Sequence, residues 1–389
     1  MSGRSRRRRS HGEGSVFRRP DDLWRGVLDL GWRDGKRIRR WVSAPTEREV
    51  IAKLGELREA QRRGLNLATR PRTFGNWLDE WLEMKQRQGT RATTLRGYRW
   101  LIREHIRPAL GTKRLEKLSP TDVRHLIEAK SASGLSAQSV RLMHALIRNV
   151  LADAEREELV YRNVARLVRP PSVTRDEVRV LTVDEARHLV AMVSGDRLEA
   201  LWLCALTLGL RKGELLGLRW ADIDFTTAVL SVRQALQRVD GRLELVEPKT
   251  ALSRRTVPVP AATMAALRTR REQQERDEQA AGPSWAGSGL VFTTMAGRPL
   301  DPRNVSRSWY SLRDRAGLGP VRFHDLRHSC ASFLIAAGTS PRTVMKTLGH
   351  SQISLTMNTY AHVLPEVERA AVDAAAQVIF GAQPDAGEA

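Results

Sequence analysis

Six residues between positions 211 and 360 have side chains that could together break a phosphodiester bond. A tyrosine hydroxyl can attack phosphorus while cationic and hydrogen-bonding groups hold the phosphate oxygens and assist the leaving group. This chemistry does not require a metal ion. The six residues are Arg211, Lys249, His324, Arg327, His350 and Tyr360.

The first motif surrounds Arg211, in the segment 207–218 that reads TLGLRKGELLGL. The glycine before Arg211 and the carboxylate of Glu214 three residues after it predict a guanidinium at a helix-to-helix turn, oriented by that carboxylate. On its own the motif is weak, because an arginine–glutamate pair on a helix is usually a surface salt bridge worth under about 1 kcal/mol.

The second motif is His324-Asp325-Leu326-Arg327-His328. Residues three apart lie on one face of a helix, so His324 and Arg327 could present a proton acceptor and a phosphate clamp together. A zinc site is the alternative, because histidines four apart, such as His324 and His328, suit a metal. No glutamate lies between them and no cysteine pair is nearby, which favours phosphate binding.

The third motif is Leu348-Gly349-His350, followed ten residues later by Tyr360. A phenol has a pKa near ~10, so it attacks slowly at neutral pH unless a base and a cationic site assist it. The histidines and arginines of the three motifs supply both. The other three tyrosines are interpreted as packing residues: Tyr98, Tyr161 and Tyr310.

The order Arg211, His324-x-x-Arg327, Leu-Gly-His350 and Tyr360 resembles the tyrosine recombinases, the phage-type integrases, over about residues 175–365. The resemblance implies a site-specific integrase that cuts DNA through a 3′-phosphotyrosyl intermediate and passes through a four-way junction. It also implies that this activity integrates or excises a mobile element. No cofactor is implied.

The resemblance also implies a role for each residue. Arg211 and Arg327 hold the nonbridging phosphate oxygens, His324 accepts the proton of Tyr360, and His350 adds a hydrogen bond to the phosphate. Glu214, at the position of the family's acidic residue, supports this set structurally.

Lys249 resembles the hairpin lysine of the family, which protonates the departing 5′ oxygen as a general acid. A surface hairpin lysine is the alternative. Lys249 is, however, the only lysine between Lys212 and Lys346 in a chain with nine lysines and 56 arginines. A guanidinium cannot readily give up a proton, so this scarcity favours the functional interpretation.

The implied partners are double-stranded DNA attachment sites, bound by a homotetramer on two duplexes, with an accessory DNA-bending or directionality protein as a further candidate. Two alternatives are a type IB topoisomerase-like enzyme that nicks and reseals one duplex, and a non-catalytic DNA-binding protein. A third is a metal-dependent transposase, for which Asp222 and Asp224 form the only suggestive pair.

Composition independently favours a polyanionic partner. Lysine and arginine number 65 against 44 acidic residues, a net charge of +21, and neutralised phosphates release condensed counterions. No apolar run of 18 residues exists that could span a bilayer, so we expect a cytoplasmic protein without membrane contact. Cys204 and Cys330 lie in apolar helical patterns and are predicted to be buried, reduced thiols.

The predicted fold is mostly α with small β elements, an α+β chain. Residues 1–20 are predicted to form a basic disordered arm and 21–70 a β-sheet-plus-helix module, which the resemblance implies binds arm-type DNA sites. Residues 71–170 are predicted to form a helical domain, by resemblance the core-binding domain, and 171–380 a helix-rich catalytic domain ending in a helical tail, with a short terminal segment at 381–389. An apolar stripe over 364–378 could pack on its own domain or on a neighbouring subunit, and the resemblance favours the neighbouring subunit.

Local signals place the elements. Asp34-Gly35 predicts a hairpin, and helices are predicted to begin at Thr73, Thr94, Ser119-Pro120 and Ser136. Thr182 and Glu185 form a predicted capping box. Strands are predicted at 229–232, 243–246, 256–259 and 290–292.

Overall fold

The structure is a computed structural model that describes residues 15–33, 35–62, 64, 67, 72–173, 179–239, 241–247 and 254–349. The chain forms two compact units that divide between residues 175 and 176. Helices predominate, and within the described ranges they are accompanied by three small antiparallel sheets. The mostly α fold with small β elements matches the class that the sequence predicts.

The first unit begins with a three-stranded sheet in which β2 (Trp24–Arg33) lies between β1 (Ser15–Arg18) and β3 (Lys36–Ala44). A helix follows the sheet. Leu28 and Ala44 on one face of the sheet pack with Val50 and Leu54 of that helix. Gly26 lies under the helix, where an added Cβ would come within 2.6 Å of Val50. The elements are β1 (Ser15–Arg18), β2 (Trp24–Arg33), β3 (Lys36–Ala44) and α1 (Glu47–Arg62).

Strand β1 corrects one expectation. Residues 15–18 fall within the segment predicted to be a disordered arm, but Val16 pairs with Gly26 and Phe17 with Arg25 of β2. The Phe17 ring also meets Trp41 edge-on, with centroids 6.2 Å apart. Strand pairing and this aromatic contact order a segment whose composition alone suggests disorder.

The other face of the sheet carries aromatic and cationic side chains. Phe17 and Trp41 are 43% and 44% exposed, and the Arg25 guanidinium lies 4.5 Å from the Trp41 ring centroid. Arg39 is also exposed. Alternation along the strands therefore separates an apolar face under α1 from a basic aromatic face.

The rest of the first unit is helical, and its predicted helix starts are largely confirmed. Thr73 Oγ1 accepts a hydrogen bond from the Asn76 amide, and Ser119 forms a capping box with Asp122. Ser136 caps the longest helix of this unit. One helix begins at Ala92, two residues before the predicted start. The helices are α2 (Phe74–Arg87), α3 (Ala92–Leu101), α4 (Arg107–Leu110), α5 (Pro120–Ala132) and α6 (Ala137–Arg156).

The second unit is built around the helix Glu199–Leu208, in which eight residues are buried. Its helices are α7 (Val183–Val193), α8 (Glu199–Leu208), α9 (Lys212–Leu216), α10 (Ala261–Ala281), α11 (Pro302–Arg315), α12 (Asp325–Ala336) and α13 (Pro341–Leu348). Strands β4 (Ile223–Asp224), β5 (Val229–Val232) and β8 (Arg255–Pro258) form one sheet, and β6 (Ala235–Val239) and β7 (Arg242–Val246) form another. None of the described helices combines the length and apolar character needed to cross a membrane.

Both cysteines are buried, as predicted. Cys204 is 0% and Cys330 2% exposed, and both are free thiols. Burial raises the pKa of each to about 12. Cys330 lies on α12 against the end of α8, where its Sγ donates to the Thr207 carbonyl at 3.4 Å.

Three of the four predicted strands are present as β5, β7 and β8, but residues 290–292 do not form one. Leu290 makes a single bridge to Arg219. Side chains of α10 take the carbonyls that a neighbouring strand would have used: Gln274 donates to Leu290 at 3.0 Å and Arg270 to Val291 at 3.1 Å. Strand β6 was not predicted.

Candidate active site

Arg211 lies in the turn between α8 and α9, as its motif predicts. Gly209, with φ +58°, ends α8 in the left-handed conformation, and an added Cβ there would meet Leu348 at 2.4 Å. The Arg211 amide and Nη1 donate to the two carboxylate oxygens of Glu214, at 3.0 and 2.7 Å. Its Nη2 donates to the Gly349 carbonyl at 3.1 Å, so Arg211 joins the turn to the end of α13.

Arg327, on α12, reaches the same place from another direction. Its Nη1 donates to the Gly209 carbonyl at 2.6 Å and its Nη2 to the Leu348 carbonyl at 2.5 Å. The residue is only 2% exposed, whereas the Arg211 side chain is 39% exposed. The structure thus brings the two predicted arginines together around the end of α13.

Sequence reasoning missed a third arginine in this cluster. The Arg255 side chain, on β8, is 4% exposed and its Nη2 lies 3.0 Å from Glu214 Oε2. Its Nε donates to the Thr347 carbonyl at 2.6 Å. A signal was available: Arg255 is two residues before the buried Val257, and strand alternation places both on the inward face.

Glu214 links two of the arginines. Its side chain is 5% exposed. Burial alone would raise its pKa, but the charges and hydrogen bonds of Arg255 and Arg211 outweigh that effect and hold the pKa below its ordinary value. Glu214 is therefore an anion that orients two guanidinium groups, in keeping with the supporting role expected of it.

His324 sits at the start of α12, one turn before Arg327. Burial of part of the ring lowers its pKa to about 4, with further contributions from His328 and Arg327. The imidazole is therefore neutral at pH 7 and able to accept a proton. The rings of His324 and His328 meet edge-on, with centroids 5.2 Å apart.

Lys249, His350 and Tyr360 lie outside the described residues. The last described residue is Gly349, in the left-handed conformation with φ +68°, and it immediately precedes His350 in the chain. The predicted tail over 364–378 also lies outside the described residues. Of the six predicted residues, the structure therefore describes Arg211, His324 and Arg327, and the charges of both arginines help to lower the pKa of His324.

Comparison with known proteins places the chain in a family. Residues 179–366 match the profile of the phage integrase family, and residues 73–131 that of the phage integrase N-terminal SAM-like domain. A tyrosine recombinase XerC of Mesorhizobium japonicum is 31% identical over 262 residues, which are 65% of this chain and 77% of that protein. The chain belongs to the phage integrase family of tyrosine recombinases. It is therefore a site-specific DNA recombinase, which cleaves and transfers DNA strands.

The likeness extends over most of the recombinase. A tyrosine recombinase XerC-like protein of Caldanaerobacter subterraneus subsp. tengcongensis is 29% identical over 373 residues, 90% of this chain and 95% of that protein. In a solved structure, a lambda integrase tetramer bound to a Holliday junction, the matched chain is 19% identical with a TM-score of 0.56. The match covers 90% of this chain and 96% of that one. At this identity the likeness concerns the fold.

The three tyrosines of the recombinase other than Tyr360 contact neighbouring protein side chains. Tyr98 is partly buried and packs on Trp81, with centroids 5.3 Å apart. Tyr161 and Tyr310 are 43% and 44% exposed, so neither is a buried packing residue. An arginine guanidinium lies over each of these two rings, at 5.0 and 5.1 Å from the centroid.

The aspartates considered for a metal-dependent transposase are also engaged. Asp224 accepts hydrogen bonds from the amides of Thr226 and Thr227, at 2.8 and 3.1 Å. Asp222 is buried and lies 3.4 Å from the Arg219 guanidinium. Both carboxylates therefore contact nearby protein groups around this turn.

Proposed function

We propose that this recombinase cleaves one DNA strand by attack of the Tyr360 hydroxyl on the scissile phosphate. The new bond is a 3′-phosphotyrosine, and the leaving group is the 5′ oxygen, which departs as a hydroxyl after protonation. Attack by the 5′ hydroxyl of a partner duplex then releases the tyrosine. Because the covalent link preserves the energy of the phosphodiester, the exchange needs neither ATP nor a divalent ion.

The observation that carries the proposal is the convergence of three guanidinium groups on the end of α13. Arg211, Arg255 and Arg327 each donate to a main-chain carbonyl there, and the Glu214 carboxylate binds the first two. Guanidinium groups held in fixed positions can stabilise developing negative charge without reorganising. Planar guanidinium groups suit a tetrahedral phosphate, and its charge increases towards the pentacoordinate transition state.

In the proposed site, Arg211 and Arg327 bind the nonbridging phosphate oxygens. Arg211 is the more exposed and contacts the phosphate first. Arg327 exchanges or shares one of its carbonyl bonds when the phosphate enters, as catalytic hydrogen bonds often rearrange on substrate binding. Glu214 keeps Arg211 in place.

The remaining roles concern protons. His324, neutral at pH 7, accepts the proton of Tyr360 and helps to position the phosphate. His350 donates a hydrogen bond to the phosphate, and Lys249 protonates the departing 5′ oxygen as general acid. In this proposal no cofactor takes part.

At the level of assembly, a homotetramer binds two double-stranded attachment sites and passes through a four-way junction. The lambda integrase tetramer on a Holliday junction, similar in fold, supports this arrangement. The basic aromatic face of the N-terminal sheet binds DNA outside the cleavage point, and the C-terminal tail docks on a neighbouring subunit. An accessory DNA-bending or directionality protein sets the balance between integration and excision. The reaction takes place in the cytoplasm.

The proposal is tested with fragments of the host and element DNA, incubated with the protein in EDTA. Fragments that stay bound in detergent identify the attachment site, and a nicked version of that site traps the covalent intermediate. We expect an adduct with the wild type and none with Tyr360→Phe. Absence of an adduct with the wild type, or its survival in Tyr360→Phe, contradicts the mechanism.

A second arm separates recombination from topoisomerase-like resealing. Two differently labelled linear duplexes carrying the site are mixed with the wild type, and a supercoiled plasmid with one site is treated in parallel. The proposal predicts recombinant products from the two duplexes. Relaxation of the plasmid without any exchange would instead support the type IB topoisomerase-like activity.

A further inference from the structure

Arg255 makes contacts to two distant parts of the chain at once. Its Nε donates to the Thr347 carbonyl in the last turn of α13, at 2.6 Å. Its Nη2 and Nη1 lie 3.0 and 3.4 Å from the two carboxylate oxygens of Glu214, on α9. One planar guanidinium therefore ties β8 to both helices.

Through Glu214, the contacts of Arg255 also restrain Arg211. The two oxygens that face Arg255 also accept the Nη1 group and the amide of Arg211. Movement of the carboxylate would therefore move the Arg211 guanidinium. Since Arg255 fixes the far side of the carboxylate, it determines where Arg211 points without facing solvent itself.

The same guanidinium supports the chain that leads into His350. An added Cβ at Gly349 would lie 3.1 Å from Arg255 Nη1, so the chain passes directly over the guanidinium. Arg255 also follows Lys249 by six residues in the sequence. Arg255 thus contacts the chain that leads to His350 and follows Lys249 closely in sequence, and the proposed mechanism assigns a phosphate contact to His350 and a proton to Lys249.

We infer that Arg255 is a positioning residue for DNA cleavage, which fixes Arg211 and the end of α13 relative to the scissile phosphate by holding Glu214 and Thr347 together. The inference rests on the proposed function, in which Arg211 binds that phosphate. Nothing in it requires Arg255 to contact DNA. A displacement of about 1 Å in such a contact can cost roughly 10²-fold in rate.

The test compares Arg255→Gln with Arg254→Gln, a matched control. Arg254 is the neighbouring residue, but its side chain is 58% exposed and it pairs with a Glu247 side chain that is 79% exposed. Single-turnover cleavage of the nicked attachment site is measured at saturating DNA, together with the DNA concentration for half-saturation. We expect Arg255→Gln to cleave about 10²-fold more slowly with half-saturation changed by under about threefold. Arg254→Gln should cleave like the wild type.

Arg255→Lys keeps the charge but loses the planar fork, so it cannot bond Thr347 and both Glu214 oxygens together. An intermediate cleavage rate is expected. This variant also keeps the test valid if Arg255→Gln fails to fold. A rate equal to that of the wild type in folded Arg255→Gln, or in Arg255→Lys if Arg255→Gln does not fold, would overturn the inference.

A background variant distinguishes positioning from a general loss of stability. In Arg211→Lys, one of the two groups that Arg255 positions is already altered, so adding Arg255→Gln should slow cleavage by well under about 10²-fold. Arg255→Gln should still lower the melting temperature in this background, because Arg255 also bonds Glu214 and Thr347 directly. A full 10²-fold loss in both backgrounds would overturn the inference, whereas a wild type that forms no adduct would instead overturn the proposed function.

Discussion

Arginine side chains in the N-terminal sheet and around Glu214 differ in their surroundings. On the sheet, the Arg37 side chain is 49% exposed and pairs with an Asp29 side chain that is 38% exposed. Around Glu214, Arg255 and Arg327 are almost wholly buried and bond to main-chain carbonyls. Exposed arginines add little to stability and are available to a polyanion, whereas the buried ones are fixed by the fold.

The difference shows that basic composition alone does not identify a catalytic arginine. Both regions bring cationic groups to a DNA-binding protein. In the cluster around Glu214, main-chain carbonyls and a buried carboxylate hold the guanidinium groups at fixed positions, and such preorganisation is what stabilises a transition state. On the basic aromatic face of the sheet, Arg37 pairs with an exposed aspartate and Arg25 lies over an exposed aromatic ring, so this face can contribute affinity.

The largest effect is expected for Arg327→Lys. The substitution keeps a positive charge but cannot bond both the Gly209 and Leu348 carbonyls, so cleavage should fall by about 10²- to 10³-fold. Leaving a buried carbonyl unsatisfied should also destabilise the protein by about 1–3 kcal/mol. Single-turnover cleavage and urea unfolding measure the two effects. The control, Arg37→Lys on the sheet, should change neither the cleavage rate nor the unfolding free energy. Equal changes in both variants would contradict the difference between buried and exposed arginines.

Glu214→Gln tests the anion within the cluster. Arg211 and Arg255 would lose a buried counterion, so we expect a loss of about 3 kcal/mol in unfolding free energy and slower cleavage. The matched variant Asp29→Asn removes the exposed partner of Arg37 on the sheet and should leave the unfolding free energy almost unchanged. Because the Glu214 pKa is lowered in the folded state, its contribution is present above the carboxyl group's ordinary pKa and is lost as the pH falls. A similar cost for both substitutions would contradict the comparison.

The pH dependence of cleavage tests His324. With a pKa of about 4 in the free protein, His324 should remain a proton acceptor well below pH 6.5. The rate at DNA concentrations below half-saturation reports ionisations of the free protein, so its acid limb should lie near pH 4. His324→Gln should cleave more slowly and lack that limb. A limb near 6.5 that is unchanged in His324→Gln would exclude His324 as its source.

The smallest effect is expected on the sheet. Arg39→Ala removes an exposed cation, so it should weaken DNA binding modestly and reduce the slope of log affinity against log salt by about 1. Cleavage at saturating DNA and thermal stability should stay unchanged. Binding titrations at several salt concentrations provide the measurement. An unchanged slope would mean that Arg39 does not neutralise a phosphate.

Sequence patterns predicted the parts of the fold that depend on local chemistry. Caps at Thr73, Ser119 and Thr182 were found because a side-chain oxygen and a nearby amide define a helix start on their own. The bridge at Leu290 was mistaken for a strand, because its carbonyl is satisfied by a distant side chain of α10. Strand β1 was missed because its partner, β2, decides its structure.

Prediction of the candidate active site was limited in the same way, because contacts between residues far apart in the chain are not visible in the sequence. Arg211, His324 and Arg327 were predicted as site residues from their spacing, and the structure places both arginines at the end of α13. Arg255 was missed because its importance comes from Glu214 and Thr347, which are far away in the chain. Strand alternation could have placed Arg255 on the inward face, but only the folded protein shows which groups it bonds there.

The most direct test of the central claim is to identify the residue that carries the DNA. The adduct formed on nicked attachment-site DNA in EDTA is digested with a protease and a nuclease, and the peptide that keeps a nucleotide is sequenced by mass spectrometry. The account predicts a single modified peptide, with the phosphate on Tyr360. A nucleotide on Tyr98, Tyr161 or Tyr310, or no modified peptide at all, would contradict it.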